Sequence, residues 1–263
     1  MTDLLSRAED LWLAIAPELP GFTVEVLPTV DSTNSELMRR ARTGLMDPLL
    51  LVTESQTAGR GRMGKGWHSQ PGQSLTFSLG LPLAPADWSG LSLAVGVSLA
   101  ESLHPEIKLK WPNDLWYQGR KLAGILVETA HMGQHTEGKR MVVIGAGINI
   151  ARPTVSSVPT AEGVLAPVAP AGLSEILMGQ TAGETLALVA PALVRDILRF
   201  EREGFGAFAT RFAQRDALAG LPLKLSDGTL GVGMGVDASG ALQLQTDRGN
   251  VAVTSSEVSV RPC

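Results

Sequence analysis

Apolar residues recur at helical spacing over residues 4–15, and the pattern stops at Pro17 and Pro20; residues 22–27 then alternate as a half-buried strand does. Asp31, Ser32 and Thr33 offer side-chain oxygens to cap a helix whose body runs over 34–41 and ends before Gly44. A continuous apolar run at 49–53 and an alternating one at 74–81 predict two strands, and the small-residue-rich stretch 88–103 predicts a closely packed helix. Residues 107–111 alternate and break at Pro112-Asn113-Asp114, which reads as a turn, and 121–129 and 141–150 predict two more strands. Residues 151–170, rich in Pro, Val, Ala and Ser, read as an irregular connection before helical spacing returns at 173–178, 181–204 and 205–218.

After Gly220 the texture changes. Short strands at 221–225, 229–236, 241–246, 251–254 and 258–260 are divided by Asp- and Gly-containing turns, a rhythm that predicts a small barrel. At roughly 45 residues such a unit has too little core to stand alone, so it is expected to dock on the larger part. The chain therefore divides at 1–218 and 219–263. Strands separated by helices and by short turns predict an α+β, mixed α/β layering and not regular βαβ winding.

Composition narrows the function classes. The 263 residues are 44% apolar and 18% charged, which is ordinary for a packed globular protein and not for a disordered one. The net charge of -4 argues against a broad electrostatic grip on nucleic acid, so any phosphate ligand is expected to be small. Cys263, the single cysteine, removes disulfide frameworks and thiolate clusters, and His68, His104, His131 and His135 have no metal-ligand spacing. The apolar run at 11–16 is too short for a signal-peptide core, and no later segment reaches membrane-spanning length, so the expected location is cytoplasmic with no membrane partner.

Residues 54–67 carry the candidate chemistry: Arg60, Arg62 and Lys65 stand on a backbone interrupted by Gly59, Gly61, Gly64 and Gly66. Glycines let a main chain approach an anion, and guanidinium forks pair with phosphate or carboxylate oxygens. Two phosphate signatures overlap here, G-x-G-x-x-G and G-x-x-x-x-G-K, and both are rejected. Gly66 stands where a P-loop needs Ser or Thr, and the run after Trp67 leads into a strand, whereas both motifs need a helix. A loop with this many glycines and cations is expected to be mobile over 57–66 until an anion orders it. The alternative at this point is a solvated basic turn or an RGG-like segment.

Four clusters stand in order: Asp31-Ser32-Thr33-Asn34; Gln56 with the glycine loop; Lys110-Trp111-Pro112-Asn113-Asp114 with Arg120-Lys121-Leu122-Ala123-Gly124-Ile125; and Gly145-Ala146-Gly147-Ile148-Asn149-Ile150. Together they resemble the biotin protein ligases over nearly the whole chain. The resemblance implies a class-II-aminoacyl-tRNA-synthetase-like catalytic domain followed by an SH3-like barrel. It implies ATP, biotin and Mg2+ as ligands, and a two-step reaction through biotinyl-5'-AMP to a lysine of a biotin carboxyl carrier protein domain. A lipoate-protein ligase and a non-enzymatic binder are the competing readings. Family members that double as repressors carry a helix-turn-helix domain first, and the roughly thirty residues before Asp31 are too few for one, so a monofunctional ligase is expected, as monomer or homodimer.

By the same resemblance Lys121, Arg62 and Asp114 are the catalytic candidates, Lys121 bridging carboxylate and phosphate and Asp114 positioning metal or lysine. Ser32, Thr33, Asn34 and Gln56 are polar groups suited to a ureido ring, and Gly59, Arg60, Gly61 and Trp67 join them at the ligand. Gly124 and Gly147 permit close approach under the biotin ring, and Asn149 meets a phosphate or ribose oxygen. Plainer roles compete for each: helix caps for Ser32 and Thr33, ordinary strand glycines, a strand-end turn for Asn149, and core packing for Trp67 and Trp111. Met63 and Lys65 depart from the arginines common at those positions, and lysine keeps the charge but loses the fork.

Overall fold

The computed structural model describes residues 3–130, 138–153, 169–254 and 260–262. Its larger sheet holds β1 (Thr23–Val30), β2 (Leu49–Gln56), β3 (Ser74–Leu83), β4 (Lys108–Lys110), β5 (Asp114–Tyr117), β6 (Arg120–Ala130) and β7 (Arg140–Asn149) in the order β1-β2-β3-β7-β6-β5-β4. β1 and β2 run parallel, joined by the crossover helix α3 (Thr33–Arg42), and every other neighbouring pair is antiparallel.

Side chains alternate across a strand, so each residue's parity decides its face. On one face Leu75, Phe77 and Leu79 pair with Ile148, Ala146 and Ile144, and Ile125 follows on β6; all are buried. That face packs on α4 (Leu91–Leu103) and α5 (Ala182–Glu203). α4 lies between sheet and α5, which explains why it is apolar nearly all round. On the opposite face the far ends of the strands are apolar, Leu49, Leu51, Ala130, Met141 and Val143, and they receive Leu37, Met38 and Ala41 of α3. The near ends on that face carry Thr76, Ser78, Gly124, Gly145 and Gly147, small residues that lie outside the apolar cluster formed with α3. The N-terminal turn of α3 stands over them.

Several expectations change in detail. The stretch 4–15 is two helices, α1 (Asp3–Ser6) and α2 (Ala8–Ile15). Helix α4 begins at Leu91 and not at 88, because Gly90 takes a left-handed φ of 78°. Asp114 opens strand β5 directly after the expected break, where Trp111, Pro112 and Asn113 turn the chain from β4 back into antiparallel β5; a second reversal at Gln118 (φ 48°) and Gly119 (φ 73°) joins β5 to β6 in a hairpin. The helix expected at 173–178 is a single 3-10 turn, Leu173–Glu175, and 205–218 holds a 3-10 turn and one short helix, α6 (Ala209–Ala213). Most of the connection 151–170, as well as His131, His135, Val258 and Cys263, falls outside the described residues.

The carboxy-terminal strands β8 (Pro222–Leu225), β9 (Leu230–Val236), β10 (Leu242–Thr246), β11 (Gly249–Val253) and β12 (Val260–Pro262) form one sheet in the order β11-β10-β9-β8-β12. Its inward residues Leu223, Leu225, Leu242, Leu244 and Val253 are continuous with the main core. Trp111, 1% exposed, settles as core and also as a tie: its indole N–H donates to Gly240 O at 3.0 Å. Gly240 has φ 80°, and a β-carbon there would lie 3.0 Å from Gly90 Cα, so glycine is what lets the turn sit against the start of α4.

Asp216 lies at this junction. Its Oδ1 accepts from Leu218 N–H at 2.8 Å, while among the described residues nothing pairs with the buried Oδ2. Burial pushes the carboxyl pKa up from 3.8, with backbone hydrogen bonds opposing. A raised folded-state pKa means the folded chain holds the proton longer than the unfolded one, so stability from this group is full below pH 3.8 and declines as pH rises through the folded value. Asp216→Asn is therefore expected to flatten the fall in melting temperature on the alkaline side of pH 4, measured by calorimetry from pH 4 to 7 at constant ionic strength. Parallel profiles for the two proteins would contradict this.

Candidate functional site

The loop between β2 and β3 is itself a small hairpin. Arg60 and Gly66 form a β-bridge, Trp67 N–H donates to Gly59 O at 2.9 Å, and Gly61 N–H donates to Lys65 O at 2.7 Å. Met63 at the tip adopts φ 55°, a left-handed conformation, and is exposed. Gly59 forms the neck: a β-carbon there would lie 2.3 Å from Trp67 O. No long helix follows, in agreement with rejecting the P-loop and dinucleotide signatures.

This loop roofs a cavity of about 210 Å³ whose floor is the small-residue face of the sheet. Ser32, Thr33, Asn34, Gln56, Arg60, Gly61, Arg62, Trp67, Asp114, Lys121, Gly124 and Gly147 are brought together around it, from five separate stretches of chain. Gly59 and Asn149 are not among the lining residues. Asn149 is buried and donates through Nδ2 to Ala171 O at 3.0 Å, fastening the chain that returns toward α5. Thr76, Lys110, Asn113 and Gly145 line the cavity without having been singled out as site residues.

The polar wall is tightly connected. Ser32 caps α3, its Oγ accepting from Ser35 N–H, as its position ahead of the helix predicts. Gln56 Oε1 accepts from Thr33 N–H at 2.8 Å and lies 3.3 Å from Thr33 Oγ1. Ser78 Oγ, fully buried, sits 2.7 Å from Thr33 Oγ1 and 2.6 Å from Asn34 Oδ1. Asn34 Nδ2 donates to Leu126 O and to Glu128 Oε2, which fixes the amide. Ser78 escaped the sequence reading, although the alternation Ser74, Thr76, Ser78 marks one polar face of β3.

The floor is made by absence of side chains. A β-carbon at Gly145 would lie 2.1 Å from Asn34 Oδ1, and one at Gly147 would lie 2.3 Å from Trp67 Cε2. At Gly124 it would meet Lys121 Nζ at 3.1 Å and the Trp67 ring at 3.6 Å. The glycines thus seat Asn34, Trp67 and Lys121 against the backbone. Trp67 Nε1 is buried, and among the described residues no acceptor reaches it.

Five cations, Arg60, Arg62, Lys65, Lys110 and Lys121, face one carboxylate, Asp114, among the described lining residues. That balance suits an anionic ligand despite the acidic chain. Lys121 Nζ pairs with Asp114 Oδ1 at 2.7 Å and lies 5.9 Å from the centre of the Trp67 ring. Arg62 is half-buried, and burial lowers its pKa while the charge of Asp114 acts the other way. It stays a cation, one whose lost hydration an anion can replace. Arg60 is held from outside by Glu128 Oε1 at 2.9 Å and Ser35 Oγ at 3.1 Å.

Residues 26–149 match the model of the biotin/lipoate A/B protein ligase family. The chain is 35% identical to the bifunctional ligase/repressor BirA of Escherichia coli over 94% of this chain and 77% of that protein. The chain belongs to this family. It is 33% identical to the biotin--[acetyl-CoA-carboxylase] ligase of Paracoccus denitrificans, over 89% of this chain and 98% of that protein. Among solved structures it resembles the biotin protein ligase from Aquifex aeolicus in complex with biotin and ATP: TM-score 0.74, 27% identity, 91% of this chain and 99% of that one. Its mixed α/β, class-II-synthetase-like fold is the one expected from the resemblance. The matched stretch contains the glycine loop, the lysine strand and the glycine pair of β7, so family and cavity coincide.

Gly147→Ala is expected to drive the Trp67 ring off the sheet, since the added carbon would overlap it, at a cost of about 1–3 kcal/mol for overpacking. Iodide quenching of tryptophan emission should rise in Gly147→Ala and stay level when Trp67→Phe is already present. Equal quenching in Gly147→Ala and the wild type would refute the placement of the ring.

Proposed function

We propose that this chain is a biotin protein ligase of the cytoplasm that joins biotin to ATP as biotinyl-5'-AMP and passes the biotinyl group to a lysine of a biotin carboxyl carrier protein domain. The observation that carries the reading is the meeting of a neutral, donor-and-acceptor wall with a strongly cationic roof in one cavity inside a biotin-ligase-like fold. A ureido ring needs both an acceptor for its N–H groups and donors for its carbonyl, which Ser32, Thr33 and Gln56 supply. A carboxylate meeting an α-phosphate needs cations, which Arg62 and Lys121 supply. We further assign residues 1–218 to catalysis and 219–263 to an SH3-like companion.

In the first step a carboxylate oxygen of biotin attacks the α-phosphorus, a P–O bond forms, and the bond to pyrophosphate breaks. Negative charge concentrates on the bridging and equatorial oxygens, where Lys121 and Arg62 stabilise it more than in the ground state. Asp114 holds Lys121 in place while the lysine waits. In the second step the carrier amine attacks the acyl carbon, its proton departs, and AMP leaves. Asp114, as the lone carboxylate among the described lining residues, is the side chain that would help hold an Mg2+ brought in with the nucleotide, and such an ion would neutralise triphosphate charge. Among the described residues no cluster of His, Cys, Asp and Glu is arranged to hold a metal without a nucleotide, and no helix is long and apolar enough to cross a membrane.

Lys121→Ala is expected to lower biotin-dependent pyrophosphate exchange ~100-fold or more, about 3 kcal/mol of transition-state stabilisation, in a protein that melts normally. Wild-type exchange in that variant would remove Lys121 from the mechanism. Arg62→Gly, which deletes a fork and adds backbone freedom, should instead release adenylate early. Rapid filtration would show a faster off-rate and label appearing on a bystander protein; an unchanged off-rate would exclude Arg62 as the latch.

A further inference from the structure

We infer that Glu128 is a positioning residue that ties the glycine loop to the polar wall, so that ligand affinity depends on a carboxylate that lies outside the cavity. The inference deepens the ligase reading and rests on it for the identity of the ligand. Glu128 stands on β6, on the same face as Gly124 and roughly 13 Å further along the strand. Its two oxygens serve two different elements: Oε1 accepts from Arg60 Nη2 at 2.9 Å, and Oε2 accepts from Asn34 Nδ2 at 3.0 Å. Arg60 Nη1 donates to Ser35 Oγ at 3.1 Å, so the guanidinium is clamped between the first turn of α3 and β6.

The contacts close into a circuit. From Arg60 they run through Glu128 to Asn34, from Asn34 through Ser78 to Thr33, and from Thr33 to Gln56, four residues before Arg60 in the chain. The wall groups facing the cavity and the loop that roofs it are therefore oriented by one connected set of bonds. Only a carboxylate satisfies the junction, because both neighbours present donors. A glutamine would place its NH2 against either Arg60 or Asn34 Nδ2, donor against donor. An isolated exposed ion pair is worth little, but here the other carboxylate oxygen is committed to a side chain, Asn34, that is itself fixed at two further points, Leu126 O and Ser78 Oγ. Glu128 acts through Arg60 and Asn34.

The test compares wild type with Glu128→Gln and Glu128→Ala. Amide exchange over residues 57–66 is measured on the protein alone, and KM for biotin and kcat are measured by pyrophosphate exchange. Loop amides should exchange about two- to fivefold faster in both variants, the ratio a pair of this kind supports, and KM for biotin should rise by a similar factor while kcat stays near its wild-type value. Combining Arg60→Glu with Glu128→Arg should return the loop amides only part of the way to slow exchange, since the ion pair is restored while the guanidinium meets Asn34 Nδ2 donor to donor. Unchanged loop exchange in both single variants would overturn the inference, as would altered exchange with an unaltered KM, or a uniform loss of kcat together with a lowered melting temperature. If the wild type shows no biotin-dependent exchange, the ligase reading falls, and the amide-exchange and charge-swap arms alone decide whether Glu128 holds the loop.

Discussion

The site depends on side chains being missing from one patch of a sheet. Gly147 pairs with Gly124 across β7 and β6, and Gly145 lies two residues along on the same face. With any larger residue at these positions, Asn34, Trp67 and Lys121 lose the surfaces they rest on. Elsewhere on that face the sheet is apolar and packed by α3, and the reverse face is apolar throughout the centre. The core is thus complete without the glycine patch, and the patch is left for chemistry. Glycine in a strand weakens it, and here β3, β6 and β7 are central strands of a seven-stranded sheet whose neighbours supply the missing order.

Cations follow the same division. They come from the loop, from the end of β4 and from the start of β6, three places held by backbone pairing and not by one another. Self-repulsion among five cations would open a freely hinged loop, so their carboxylate partners matter: Glu128, outside the cavity, for Arg60, and Asp114, in its lining, for Lys121. Arg62 has the most buried position of the loop cations; burial lowers its pKa, and an incoming anion replaces hydration that the guanidinium has lost.

Much of this was legible in the sequence, and the failures have physical reasons. The alternation of β3 and the caps of α3 announce themselves locally, so these elements lie close to where periodicity places them. Strand β5 went unseen because four residues beside a Pro-Asn break give no period, so Asp114, the first residue after the turn at 111–113, read as part of that turn. Gly59 and Asn149 belong to motifs at the site but serve the loop neck and the Ala171 connection; a motif in sequence carries its scaffolding along with its ligand groups. Glu128 and Ser78 gave no signal as single residues, since each acts through a contact made more than twenty-five residues away in the chain.

Trp67 and the cavity volume together say what must move. About 210 Å³ is below the roughly 300–1,000 Å³ typical of pockets that enclose a drug-sized ligand, and a bicyclic acid joined to a nucleotide is larger still. The indole occupies the glycine floor, and among the described residues its buried N–H lacks an acceptor, a costly arrangement that rotation of the ring relieves. The β2–β3 hairpin that carries Trp67 is joined to the sheet at Gly59 and at the Thr57 and Ala58 amides, which donate to Val30 O and Asp31 O. Its tip is tied to the rest of the fold through side chains. Turning the indole about its own side-chain bonds therefore leaves both the Arg60–Glu128 tie and the ladder between β2 and β3 intact. The sheet keeps its register while the roof is rebuilt around the ligand, and the energy that holds the fold is kept apart from the energy that closes the site.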